Sequence, residues 1–174
     1  MRIISGLKKG RRITFDKKLP VRPTTDKAKE AIFNILNNRY HFEKKNVLDL
    51  FAGTGSISFE FASRNCEKVF AIDKNYECVK NINKNSDNFN LNIETVCCDA
   101  IEYLQKITQK FDFIFIDPPY KYQKYHTLKD LIFEKKLIKK NGCLIIEHDD
   151  TISFEENNKE LKKYGLSHFS IFSF

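Results

Sequence analysis

The residues most able to do chemistry lie in Asp117-Pro118-Pro119-Tyr120, which follows the apolar run Phe111 to Ile116 and holds two of the chain's four prolines. Consecutive prolines cannot continue a strand ladder, and their fixed φ stiffens the backbone. The Asp117 carboxylate and the Pro118 carbonyl are thereby expected to converge on one point as hydrogen-bond acceptors. Such a pair suits an exocyclic base amine, whose lone pair is delocalised until its N–H bonds are held. Tyr120 is placed to stack on the face of an extruded base. A proline-terminated strand with a surface tyrosine is the plainer alternative.

A second constellation is Asp49-Leu50-Phe51-Ala52-Gly53-Thr54-Gly55-Ser56. It carries two of only six glycines in the 174-residue chain and directly follows the apolar run Val47 to Leu50. A strand, a glycine loop and then a helix let backbone approach a ligand closely at the carboxyl edge of an open sheet. Ser58 stands where a dinucleotide site would carry its third glycine, which disfavours pyrophosphate. Asp49 at the strand end suits a cation instead, and the amino and sulfonium groups of S-adenosylmethionine supply one. The alternative is a packing turn with a core-facing acid. Asp73 lies 20 residues beyond Gly53, where an acid meets ribose hydroxyls in this architecture. Asp99, followed by Ala100, is placed to receive an adenine amine, or else to cap a helix. A methyl group on a sulfonium is already activated, so neither a metal nor a covalent nucleophile is required.

These groups need a scaffold that brings strand ends together. Apolar runs of strand length recur at Val47 to Leu50, Val69 to Ile72, Ile93 to Cys97, Phe111 to Ile116 and Leu144 to Ile146, separated by helix-compatible stretches. Successive apolar positions imply strands covered on both faces, hence a doubly wound, mostly parallel α/β sheet of seven strands. Gly165 separates Lys159 to Tyr164 from a terminal strand marked by Phe169, Ile171 and Phe172, and so short a connection predicts a closing antiparallel hairpin. Upstream, Lys27 to Asn38 is apolar at helical spacing, with Thr24 or Thr25 as N-cap. Arg2 to Phe15 alternates apolar and basic residues around Gly6 and Gly10, which suggests a hairpin. The length fits one domain, with residues 1–24 as a basic arm and 25–174 as the core.

The formal net charge of +7 suits a polyanionic partner. In the arm, Arg2, Lys8, Lys9, Arg11, Arg12, Lys17, Lys18 and Arg22 are opposed only by Asp16, a pattern expected of a clamp on RNA phosphates or of a solvated surface. Lys121-Tyr122-Gln123-Lys124-Tyr125-His126 interleaves basic and aromatic residues. Such a loop either holds single-stranded nucleic acid, with Lys121 on a phosphate, or simply leads into a helix containing Leu128, Leu131 and Ile132. Five cysteines without metal spacing predict core thiols in a reducing cytosol. No apolar run is long enough to cross a membrane, so a cytoplasmic protein is expected.

Further motifs are Arg2-Ile3-Ile4-Ser5-Gly6, Gly10-Arg11-Arg12, Val21-Arg22-Pro23-Thr24-Thr25-Asp26 and Lys29 to Leu36. With the glycine loop and the Asp117 element, they give the chain a resemblance, over nearly its whole length, to the bacterial methyltransferases that modify the 2-amino group of a guanine in 16S ribosomal RNA. These are a branch of the class I S-adenosylmethionine-dependent fold. The resemblance implies that Asp49 and the loop Phe51 to Gly55 hold the methionyl part of S-adenosylmethionine, Asp73 the ribose, Asp99 and Ala100 the adenine, and Asp117 to Tyr120 the target base. It implies as partner ribosomal RNA, expected within a small-subunit assembly intermediate; the charge pattern adds the expectation that a monomer meets it through Arg2, Arg11, Arg12, Arg22 and Lys121. Ser5, where the family pattern leads us to expect a glycine, and Lys8-Lys9, in a loop where an aromatic is common, depart from that pattern. DNA or protein-glutamine methylation, or a silent RNA-binding assembly factor, are the competing expectations.

Overall fold

The computed structural model describes residues 1–15, 25–119 and 121–174. Its centre is built from the runs that are apolar at successive positions: β1 (Asn46–Leu50), β2 (Lys68–Asp73), β3 (Ile93–Cys97), β4 (Phe111–Ile116) and β5 (Ile138–His148). With β6 (Lys159–Tyr164) and β7 (Ser167–Ser173) they form one seven-stranded sheet in the order β3-β2-β1-β4-β5-β7-β6. The first five strands pair in parallel, and β7 runs antiparallel to both β5 and β6. Tyr164 pairs with Ser167 across Gly165, at φ +62°, so the closing hairpin predicted from spacing is present.

Helices α1 (Asp26–Arg39), α2 (Ser56–Ser63) and α3 (Tyr76–Phe89) cover one face, and α4 (Ala100–Lys106) and α5 (Tyr125–Glu134) the other. Thr25 caps α1 by accepting a hydrogen bond from the Ala28 amide; Thr24 lies outside the described residues. The first face is dominated by phenylalanines. Phe42 and Phe61 pack on Phe113 at 5.4 Å between ring centroids, and each such ring contributes about 1.5–3 kcal/mol by leaving water.

Two expectations need correction. β5 begins six residues before Leu144, because half-buried Lys139 and exposed Lys140 and Asn141 continue the strand on the far side of a register shift against β4. β3 is an edge strand with both exposed and half-buried residues, so Cys97 is exposed and Cys98 half-buried, whereas Cys66, Cys78 and Cys143 are core thiols. The N-terminal hairpin is present and short: Arg2 and Arg12 form an antiparallel bridge, flanked by backbone bonds from the Ile3 amide to the Arg11 carbonyl, the Gly10 amide to the Ile3 carbonyl and the Ile13 amide to the Met1 carbonyl. Rather than standing apart, it sinks Ile3 and Ile13 among Phe59, Ile82 and Phe89. No helix among the described residues is long and apolar enough to cross a membrane.

Candidate active site

β1 and β4 are neighbours whose outgoing connections turn to opposite faces of the sheet, which opens a crevice beyond their carboxyl ends. Register brings the predicted segments to that edge: Leu50 pairs with both Ile72 and Ile116, and Asp73 with Cys97. Bonds just past the strands keep the ends aligned. The Ala52 amide donates to the Ile72 carbonyl (3.0 Å), the Asp117 amide to the Leu50 carbonyl (3.4 Å) and the Cys98 amide to the Asp73 carbonyl (3.1 Å).

The loop after β1 is held in conformations that few residues adopt. Phe51, Gly53 and Gly55 have φ of +63°, +54° and +80°. A Cβ at Gly55 would stand 2.8 Å from the Phe59 ring and 2.9 Å from Ile82, so packing as well as φ requires glycine there. Asp73 fastens the loop from the next strand. Its Oδ2 accepts from the Gly53 amide and its Oδ1 from the Asn75 amide, both at 2.8 Å. A carboxylate offers about four acceptor positions, so two such bonds leave room for a diol.

Asp99 caps α4, with Oδ1 accepting from the Ile101 and Glu102 amides at 2.8 and 3.3 Å. The capping alternative therefore describes its position, and Oδ2 accepts no hydrogen bond from a described residue. Ala100 beside it is buried. Asp49 lies beneath the loop, 1% exposed, accepting from the Ser58 hydroxyl at 2.5 Å. Burial pushes its pKa up to about 7, against the pull of its bonds to Ser58 and with a smaller push from Asp73. Ser58 was legible only as a missing third glycine; its role as the partner of Asp49 was not.

After β4, Asp117 is half-buried and engaged, Pro118 is buried and Pro119 exposed. The Pro119 carbonyl accepts from the Tyr122 amide at 2.8 Å and turns the chain back; Tyr120 lies outside the described residues. The two later tyrosines point inward. Tyr122 meets the Phe51 ring edge-on at 5.0 Å, and Tyr125 is 2% exposed at the start of α5. The segment leads into α5 with Tyr125 buried, so Tyr125 is unavailable to stack a base. Tyr122, which ties the Asp117 loop to the glycine loop, was the residue missed. Burial pushes its hydroxyl up to about 12, with the Asp99 charge adding to the shift. Lys121 is exposed, as are Arg2, Arg11 and Arg12 on the arm; Arg11 lies over the Phe89 ring at 5.3 Å, and Arg22 is outside the described residues.

The donor set fits an adenosyl cation. Asp49, Asp73 and Asp99 have no ion-pair partner among the described residues, and the hydroxyls of Ser56 and Tyr122 are buried without a hydrogen bond there.

A family model described as "Conserved hypothetical protein 95" matches residues 1–173. The chain belongs to this family. It is similar to "Putative rRNA methyltransferase YlbH" of Bacillus subtilis, at 34% identity over 99% of this chain and 98% of that protein. It is also similar to "Ribosomal RNA small subunit methyltransferase D" of Buchnera aphidicola, at 34% identity over 84% of this chain and 77% of that protein. Among solved structures, "Putative methyltransferase yhhF" from Escherichia coli matches with a TM-score of 0.87 and 23% identity, covering 99% of this chain and 97% of that one. That likeness shows the fold: a mostly parallel seven-stranded α/β sheet ending in an antiparallel hairpin.

Proposed function

We propose that this protein transfers a methyl group from S-adenosylmethionine to the exocyclic 2-amino group of a guanine in small-subunit ribosomal RNA, acting as a cytoplasmic monomer on an assembling subunit. One observation carries the reading. The glycine loop and the Asp117 element leave adjacent parallel strands at one edge, joined by the Asp117 amide on the Leu50 carbonyl. The names of the relatives support RNA as the substrate class.

S-adenosylmethionine, when bound, supplies an electrophilic methyl group on a sulfonium. The chain's residues hold and orient. Phe51, Ala52, Gly53, Thr54 and Gly55 enclose the methionyl part over the Asp49 charge, Asp73 accepts from the ribose diol, and Asp99 with Ala100 meets the adenine. Asp117 and the Pro118 carbonyl accept the N–H bonds of the target amine, which localises its lone pair, and Asp117 takes up the proton that the nitrogen loses. Pro119 stiffens the turn and Tyr120 stacks on the flipped base, a contact of about 1–3 kcal/mol. In-line orientation of the two reactants accounts for on the order of 7–11 kcal/mol of the barrier. Arg2, Arg11, Arg12, Arg22 and Lys121 hold phosphates, so affinity falls with salt.

The test is transfer of tritiated methyl from S-adenosylmethionine to unmodified ribosomal RNA, partly assembled small subunits, DNA and protein, followed by nucleoside digestion. Label recovered as 2-methylamino guanosine from small-subunit RNA is expected. Label on DNA or protein alone contradicts the reading, and RNA binding without any label supports a silent assembly factor instead.

A further inference from the structure

Away from the rim, a buried polar assembly joins three segments of the chain. Glu60 on α2 is fully buried. Its Oε1 accepts from the Ile4 amide at 2.7 Å and lies 3.1 Å from the ammonium of Lys29 on α1, itself fully buried, while Oε2 pairs with the Arg64 guanidinium. Lys29 reaches on to donate to the Arg2 carbonyl at 2.7 Å. The α2 C-terminus grips the same arm: the Leu7 amide donates to the Ser63 carbonyl, and the Ser63 hydroxyl accepts from the Lys8 amide and donates to the Ser5 carbonyl. Gly6 fits this contact because a Cβ there would stand 1.9 Å from the Ser63 carbonyl oxygen.

The same arm also touches the glycine loop. Ile3 and Ile13 share a core with Ala52, and the Thr54 hydroxyl donates to the Met1 sulfur at 3.5 Å. α2 starts at Ser56, immediately after Gly55, so the helix that carries Glu60 is the continuation of the loop. One strip of backbone thus presents Arg2, Arg11 and Arg12 to solvent and braces the loop from within.

We infer that Glu60 is a positioning residue that couples RNA held on the arm to cofactor held in the glycine loop. The inference rests on the function proposed above. Pull on Arg2 or its neighbours is borne by the Arg2 carbonyl and the Ile4 amide, the two backbone groups that the Lys29–Glu60 pair holds. That pull reaches the loop through α2 and Ala52. Coupling between two binding sites is reciprocal, so cofactor must tighten RNA by the factor by which RNA tightens cofactor.

The full chain is titrated with unmodified small-subunit RNA, with and without saturating S-adenosylhomocysteine, as wild type, Glu60→Gln and Ser63→Ala. In the wild type the analogue is expected to tighten RNA by about fivefold or more. In Glu60→Gln that factor falls toward one while each ligand still binds. Ser63→Ala, which releases Ser5 and Lys8 without touching an ion pair, lowers the factor in a chain whose fold is checked by circular dichroism, and it decides the matter if Glu60→Gln does not fold. Wild type that binds both ligands with a factor of one, or folded variants that keep the wild-type factor, overturn the inference alone. Absence of RNA affinity in the wild type overturns the proposed function and the inference with it.

Discussion

The two edges of the sheet use the same residue type in opposite ways. At the amino edge, Asp112 on β4 is gripped by Lys139 at 2.8 Å, Lys45 at 3.2 Å and the Asn46 amide at 2.9 Å. Burial works to raise its pKa, but the Lys139 bond, the Asn46 amide and Lys45 outweigh it, and the carboxyl sits below its ordinary value. At the carboxyl edge, Asp73 and Asp99 are held by backbone amides and Asp49 by a hydroxyl, none of them with an ion-pair partner among the described residues. Neutral donors fix a carboxylate without cancelling its charge. Lysines balance the charge of Asp112, which braces the fold, whereas Asp73 and Asp99 have no cationic partner among the described residues.

Substitutions at the two edges should therefore separate cleanly. The largest effect is expected from Asp117→Ala. Methyl transfer should fall by at least about 100-fold, the scale of losing one group that orients a reacting atom, while thermal unfolding stays near wild type. Equal activity would remove Asp117 from the chemistry. Next comes Asp73→Ala. Removing hydrogen bonds to a charged acceptor should weaken S-adenosylhomocysteine binding by about 1.5–3 kcal/mol in calorimetry.

Asp112→Ala should do the reverse. Stability should fall by about 1–2 kcal/mol, because its lysine partners are about a third exposed and screened, with activity per folded molecule unchanged. The sign follows from its lowered pKa. Its contribution is present above the ordinary carboxylate value of 3.8 and is lost as pH falls through the lower folded value. Denaturant unfolding at pH 7 and at pH 3 checks both statements.

The smallest signal is a fraction of one proton. Asp49 has a folded pKa of about 7 against an ordinary 3.8, so its ionisation costs stability as pH rises through that interval, with no further change above it. A cationic ligand arriving beside it lowers the value. Binding of S-adenosylmethionine at pH 6 should release a proton, and binding at pH 8.5 should release none. Calorimetry in buffers of different ionisation enthalpy reads this directly, and Asp49→Asn should abolish the release.

What the sequence made legible follows from how each feature is encoded. Strands buried on both faces write themselves as unbroken apolar runs, so β1, β2 and β4 stood out to within a residue, and with them the strand-end acids and the glycine loop. Buried polar partners leave no such trace. Every residue of α2 is buried, Glu60 included, yet Ser-Ile-Ser-Phe-Glu-Phe-Ala-Ser shows nothing to distinguish Ser58 and Glu60 from a solvated stripe. Their roles depend on Asp49, Lys29 and Ile4, which only folding brings near. Tyr122 and Tyr125 left two readings open for the converse reason: set among Lys121, Gln123, Lys124 and His126 they resemble a stacking surface, and tertiary packing turns them inward.

The central claim is that the carboxyl edge of β1, β2 and β4 is one methyl-transfer site, and a crystal structure with S-adenosylhomocysteine bound tests it most directly. The account predicts the ribose on Asp73, the adenine against Ala100 and the thioether sulfur turned toward Asp117 and Pro118. A ligand bound elsewhere, or seated on this edge with its sulfur directed away from Asp117, would contradict it.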